Sequence, residues 1–93
     1  MSELLKVFKH STDDRIVAYV FYCPGCKSHH RFDIPRWTFN GNLERPTFSP
    51  SLLYDAGTPH CCHLFVRDGQ IEYLSDSKHV FAGKTIPMEP HAF

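Results

Sequence analysis

Two cysteines three positions apart, in Cys23-Pro24-Gly25-Cys26, are the first residues whose types and spacing point to chemistry. With Pro-Gly between them, both thiolates can turn toward one ion, and zinc takes four soft or borderline donors in a tetrahedron. Glycine in the bend adds backbone conformations that other residues resist. A second donor group follows in His60-Cys61-Cys62-His63, with His79 further on. Alternate residues of a strand face opposite sides, so Cys62 sides with Leu64 and Val66, while Cys61 and His63 side with Phe65. The expected Zn2+ ligand set is Cys23, Cys26, Cys62 and His79, which leaves His63 on the other face for a separate task. Replacement of one of these by His63, His60, His30 or Cys61 is an open alternative. Taken singly, each histidine is an ordinary surface residue and Cys62 an ordinary core cysteine. The conjunction with the knuckle is what implies a metal.

A second chemistry is available to hydroxyls. Serine hydrolysis needs a nucleophile, a histidine base and an orienting group within hydrogen-bond reach. Ser49 and Ser51 lie in the proline-bracketed stretch Pro46–Leu52, His63 is the spare histidine, and Asp76 follows one strand later. Either serine is a candidate nucleophile, with His63 as general base and Asp76 orienting it. Against this, serines beside prolines are common in loops, and no Gly-x-Ser-x-Gly elbow is present. Asp76 can equally cap the turn at Val80. Zinc hydrolysis is a third possibility, but it needs an open coordination position. No His-Glu-x-x-His occurs, and Glu44, Glu72 and Glu89 have no evident pairing with the ligands. The zinc is therefore expected to be structural.

The elements that must position these residues read as strands. Residues 1–15 suggest a short strand and a turn ending in Thr12-Asp13-Asp14-Arg15. Ile16 to Tyr22 is rich in β-branched and aromatic residues, and His30 to Ile34 alternates as a returning strand stopped by Pro35. Trp37-Thr38-Phe39 precedes an Asn40-Gly41 turn signal, and Pro46 and Pro50 confine Thr47-Phe48-Ser49 to an extended edge or loop. Ser51 to Tyr54 resumes a strand. Asp68-Gly69 favours a type I′ turn, which fixes Arg67 opposite Gln70, Val66 opposite Ile71 and His63 opposite Leu74. Strict continuation sets Cys62 opposite Ser75 and Cys61 opposite Asp76, with His79 just beyond. Val80 to Gly83 suggests one helical turn, and Lys84 to Pro87 a last strand. The expected fold is mainly β: a small antiparallel sheet domain, zinc-ribbon-like, stapled by the knuckle, with little helix, and residues 1–93 forming one domain.

Bulk properties agree. Chains of 93 residues bury a modest share of their surface, and a metal commonly supplements so thin a core. Ten basic and ten acidic side chains cancel, with no basic stripe of the kind a nucleic-acid binder carries. No apolar run approaches the ~18 residues of a membrane span. The first residues lack the layout of a signal peptide, so the cytoplasm is expected, where thiols stay reduced. The adjacent Cys61-Cys62 pair and seven histidines also speak for metal over disulfides.

Five ordered blocks carry a resemblance: Cys23-Pro-Gly-Cys26, Trp37-Thr-Phe-Asn-Gly-Asn42, Pro46-Thr-Phe-Ser-Pro-Ser-Leu52, Cys62-His63-x-Phe-Val-x-Asp-Gly69 and Asp76-x-x-His79-x-x-Ala-Gly83. Over about residues 20–87 the chain resembles a family of small zinc-knuckle proteins of phages and bacteria, some of which carry the implausible label ammonia monooxygenase. Family members occur in phage genomes and in bacterial operons for ubiquitin-like modifiers. The resemblance implies a peptidase that processes or removes such a modifier, whose flexible tail would add as an edge strand. Many members have cysteine where Ser77 stands, and Cys61 is an added thiol here. The competing reading is a non-catalytic phage or defence-linked module that docks on a protein through a patch of Trp37, Phe39 and Phe48.

Overall fold

A computed structural model describes residues 4–90. Nine strands run in chain order: β1 (Lys6–Lys9), β2 (Ile16–Cys23), β3 (Ser28–Asp33), β4 (Thr38–Phe39), β5 (Phe48–Ser49), β6 (Leu52–Tyr54), β7 (Cys62–Arg67), β8 (Gln70–Tyr73) and β9 (Thr85–Pro87). They form three antiparallel sheets, β1-β2-β3, β4-β5 and β6-β7-β8-β9. Among the described residues there is no helix, and none that could cross a membrane. The mainly β expectation holds. The suggested helical turn at Val80–Gly83 is instead a pair of overlapping turns, closed by Ala82 N–H to the His79 carbonyl (3.1 Å) and Lys84 N–H to the Phe81 carbonyl (2.9 Å). Gly83 takes the left-handed conformation there, at φ +76°.

β2 and β3 pair from Ala18↔Asp33 to Cys23↔Ser28, so the returning strand starts earlier than His30 and the knuckle spans the bend between them. β7 and β8 pair as Arg67↔Gln70, Val66↔Ile71, Phe65↔Glu72 and Leu64↔Tyr73, the register a two-residue Asp-Gly loop dictates. Alternation along β7 buries Cys62, Leu64 and Val66 and leaves His63 and Phe65 half-buried on the other face.

One apolar cluster joins the three sheets. Phe32 and Phe48 stack with centroids 4.2 Å apart and planes 3° from parallel, and Phe39 stacks on Phe48 at 4.7 Å. Trp37 meets Phe32 edge-on at 5.6 Å. Phe48 is buried, and Trp37 and Phe39 pack partly buried against the same cluster. The three residues of the docking patch anticipated from the sequence thus pack on the core.

The β4–β5 loop is fastened to the β7–β8 turn. Gly69 N–H donates to the Pro46 carbonyl (2.9 Å), and Asp68 N–H donates to Thr47 Oγ1 (2.8 Å). A Cβ at Gly69, whose φ is +75°, would stand 3.3 Å from Arg45 Cα, so both conformation and space call for glycine. This attachment sets the path of the chain into Pro50 and Ser51. Phe48→Ala removes the centre of the aromatic stack and is expected to cost about 3–5 kcal/mol, read by urea denaturation at fixed zinc concentration.

Candidate active site and metal centre

Both clusters of functional side chains draw on the same two stretches, residues 61–63 at the start of β7 and residues 74–79 after β8, and are completed by the knuckle on one face and by Ser51 on the other. Leu74 N–H continues the ladder to the His63 carbonyl at 2.8 Å. The chain then departs from strict pairing: a turn closed by Ser77 N–H to the Leu74 carbonyl (3.1 Å) swings Asp76 outward, and Lys78 N–H rejoins at the Cys61 carbonyl (2.9 Å). Cys61 therefore lies beside Lys78, and not opposite Asp76 as unbroken pairing would require. The inserted turn gives Asp76 its reach.

On the inner face, Cys23, Cys26, Cys62 and His79 each offer one donor atom, and these four atoms lie within 4.8 Å of one another. Bonds of about 2.3 Å to sulfur and about 2.0 Å to nitrogen put the edges of a tetrahedral zinc site at about 3.8 Å and 3.5 Å. Cys23 Sγ is 3.9 Å from Cys62 Sγ, and Cys62 Sγ is 3.4 Å from His79 Nε2. The donor set, three thiols and an imidazole, is close enough to hold a metal ion and is compatible with zinc. Gly25 supplies the space: a Cβ there would sit 2.4 Å from His79 Cε1, inside the ring's own volume. The knuckle's glycine is thus required for room against an imidazole. It is not among the positive-φ glycines.

Charge is distributed unevenly over the thiols. Cys23 is lowered to about 3, chiefly because the Cys62 thiol donates to it, while burial opposes the shift. Cys62 is pushed up for the same reason, since its proton is shared with Cys23. Burial and the neighbouring Cys23 charge push Cys26 up to about 11. Tyr73, raised by burial, places its hydroxyl 3.0 Å from Cys23 Sγ and meets the His79 ring edge-on at 4.6 Å. Tyr73 was legible in principle, because the hairpin register sets it opposite Leu64 on the inner face.

The remaining donor candidates lie outside the cluster. His30 is buried on β3 against the rings of Phe21 and Tyr54. His60 is exposed, and with Cys61, Lys78 and His79 it lines a cleft of about 380 Å³ at the mouth of the knuckle.

On the outer face, β6 pairs with β7 as Leu52↔Leu64, Leu53↔His63 and Tyr54↔Cys62. Ser51, entering β6 from Pro50, points the same way as His63, and its carbonyl accepts the Trp37 indole N–H (3.4 Å). Ser51 Oγ lies 3.1 Å from His63 Nε2. His63 Nδ1 lies 3.0 Å from Asp76 Oδ2 and 3.2 Å from Oδ1. With the carboxylate facing Nδ1, the ring proton belongs there, and Nε2 is left to accept from the serine hydroxyl. The His63 side chain is 23% exposed and Asp76 57%, so the group is open to a macromolecule. Ser49 sits exposed on β5, paired with Thr38, and makes no hydrogen bond to His63. A cleft of about 550 Å³, lined by Gly57, Thr58, Pro59, Cys61, Asp76 and Lys78, opens on the Asp76 side.

Serine, histidine and aspartate in this order of contact are the constellation of serine proteases, recognised by geometry and not by position in the chain. Residues 3–74 match the model of a family described as bacterial ubiquitination-like system serine proteases, BubE. The chain belongs to the BubE family. The matched stretch contains Ser51, His63 and the three clustered cysteines, and Asp76 and His79 follow just beyond it. No curated protein and no solved structure matches the chain. Membership bears out a ubiquitin-like-modifier protease family as the resemblance implied, and a protease of such a system acts on a protein substrate.

Two outcomes follow for this BubE chain. His79→Ala is expected to lose bound zinc, while His63→Ala keeps it, as measured by elemental analysis of the purified variants. Gly25→Ala, by displacing the His79 ring, is expected to weaken zinc binding at least tenfold in a chromophoric chelator competition.

Proposed function

We propose that this BubE protein hydrolyses a peptide or isopeptide bond at the C-terminal tail of a ubiquitin-like modifier by acyl transfer through Ser51. The observation that carries the reading is the unbroken contact chain from Ser51 Oγ through the His63 ring to the Asp76 carboxylate. His63 Nε2 takes the hydroxyl proton as Oγ adds to the scissile carbonyl. The same nitrogen then gives that proton to the departing amine, leaving an ester on Ser51. A water molecule, deprotonated by His63, cleaves the ester and releases the carboxylate and free Ser51. Asp76 holds Nδ1–H throughout and offsets the imidazolium charge.

Several features support a macromolecular substrate. The group lies on an open sheet face beside β6, where the exposed side chain of Leu53 stands opposite His63. An extended tail laid along this strand would bring a backbone carbonyl to Ser51 without entering a deep pocket. Zinc, held by Cys23, Cys26, Cys62 and His79, would supply structural closure of the knuckle. The four free cysteines fit a reducing compartment, and the cytoplasm is the proposed location.

A serine-directed fluorophosphonate tests the proposal directly. Labelling is expected at Ser51, located by peptide mass spectrometry, and retained in Ser49→Ala. Ser51→Ala and His63→Ala are expected to lower cleavage of a modifier fused through its C-terminus by about 10⁴-fold or more. Labelling at Ser49, or undiminished cleavage by Ser51→Ala, removes the proposed nucleophile.

A further inference from the structure

His63 is the pivot of the outer-face group, and its backbone is held in an unusual way. In an unbroken ladder its N–H would meet a carbonyl of the neighbouring strand. The turn that carries Asp76 outward takes that strand away. Ser77 fills the gap with its side chain: the His63 N–H donates to Ser77 Oγ at 3.0 Å, and the Ser77 hydroxyl donates back to the His63 carbonyl at 2.9 Å. The Leu74 N–H reaches the same carbonyl at 2.8 Å. Ser77 is only 5% exposed, so water is poorly placed to take over either contact.

One hydroxyl thus satisfies both backbone groups of the residue that links Ser51 to Asp76. It is also the immediate neighbour of Asp76, and His79 lies two residues further on, anchored in the metal cluster. The Asp76 carboxylate is more than half exposed and meets the His63 ring at 3.0 Å. What fixes its distance to the ring is therefore the backbone on either side, pinned through Ser77.

We propose that Ser77 is the positioning residue of the Ser51–His63–Asp76 group, replacing a lost strand partner so that Asp76 can reach His63 Nδ1 while His63 stays in register. The functional consequence rests on the protease reading above, but the geometry Ser77 governs is measurable without turnover. Alanine at 77 would leave the His63 N–H without its acceptor and let the Asp76 turn drift. Threonine retains the hydroxyl.

The experiment compares zinc-loaded wild type, Ser77→Ala and Ser77→Thr by two readouts. One is the proton resonance of His63 Nδ1–H, assigned by its loss in His63→Gln. The other is the rate of fluorophosphonate labelling at Ser51. In Ser77→Ala, with zinc content unchanged, the resonance is expected to vanish through exchange with water and labelling to fall about 10²-fold, the scale of an ångström-sized misplacement. Ser77→Thr is expected to restore both to within about threefold, because the hydroxyl is what the position requires. A Ser77→Ala protein that binds zinc and keeps both the wild-type resonance and labelling rate overturns the proposal and leaves the protease reading intact. Loss of the resonance in Ser77→Ala, with wild type itself unlabelled, upholds the positioning role and defeats the protease reading. If Ser77→Ala does not fold, Ser77→Val, which matches the threonine variant in shape but lacks the hydroxyl, carries the test. It is expected to lose the resonance and the labelling rate that Ser77→Thr keeps, and wild-type values there overturn the proposal.

Discussion

Everything functional in this chain depends on one crossing, where the start of β7 runs beside the turn after β8. Successive residues of a strand point to opposite faces, so Cys62 and His63 cannot serve the same centre. The structure uses both directions. Cys62 turns inward to the thiols of the knuckle and His63 outward to Ser51. The facing stretch repeats the division, with Asp76 outward and His79 inward. Two short segments thereby build two centres back to back, and a movement of one segment against the other disturbs both.

This economy suits a chain with little core. The buried side chains are mostly aromatic and aliphatic residues of short strands, and the stack of Phe39, Phe48 and Phe32 is the main apolar link between sheets. Such a core fixes the strands but says little about where the long connection after β8 lies. A metal held by Cys23 and Cys26 at the β2–β3 bend, and by Cys62 of β7 and His79 of the turn after β8, would add the missing cross-link. Zinc sites of this kind contribute on the order of 10 kcal/mol to the folded state of small domains. Tyr73, with its hydroxyl on Cys23 Sγ and its ring against His79, ties the hairpin to that centre as well.

The openness of the outer face has a chemical consequence. A histidine 23% exposed beside a serine on a sheet surface is not enclosed as in enzymes for small molecules. A flexible polypeptide tail brings its own surface to cover the site, and the modifier system to which the BubE family belongs supplies protein substrates.

Local chemistry determined much of this. The Asp68-Gly69 turn alone sets the β7–β8 register, and strand alternation then sorts Cys62 to one face and His63 to the other. Cys-Pro-Gly-Cys between two strand-like runs marked the knuckle, and proline placement marked the extended stretch leading to Ser51. Three things were decided by tertiary structure. Ser51 and Ser49 are equivalent by pattern, and it is Ser51 that the folded chain brings to 3.1 Å from the His63 ring, through contacts distant in sequence. The glycine of the knuckle reads as a conformational need, but the His79 ring, brought from far along the chain, makes it a need for space. The turn at Leu74–Ser77 breaks a register that pattern alone would continue, because a side-chain hydroxyl stands in for a strand, and no periodicity records that exchange.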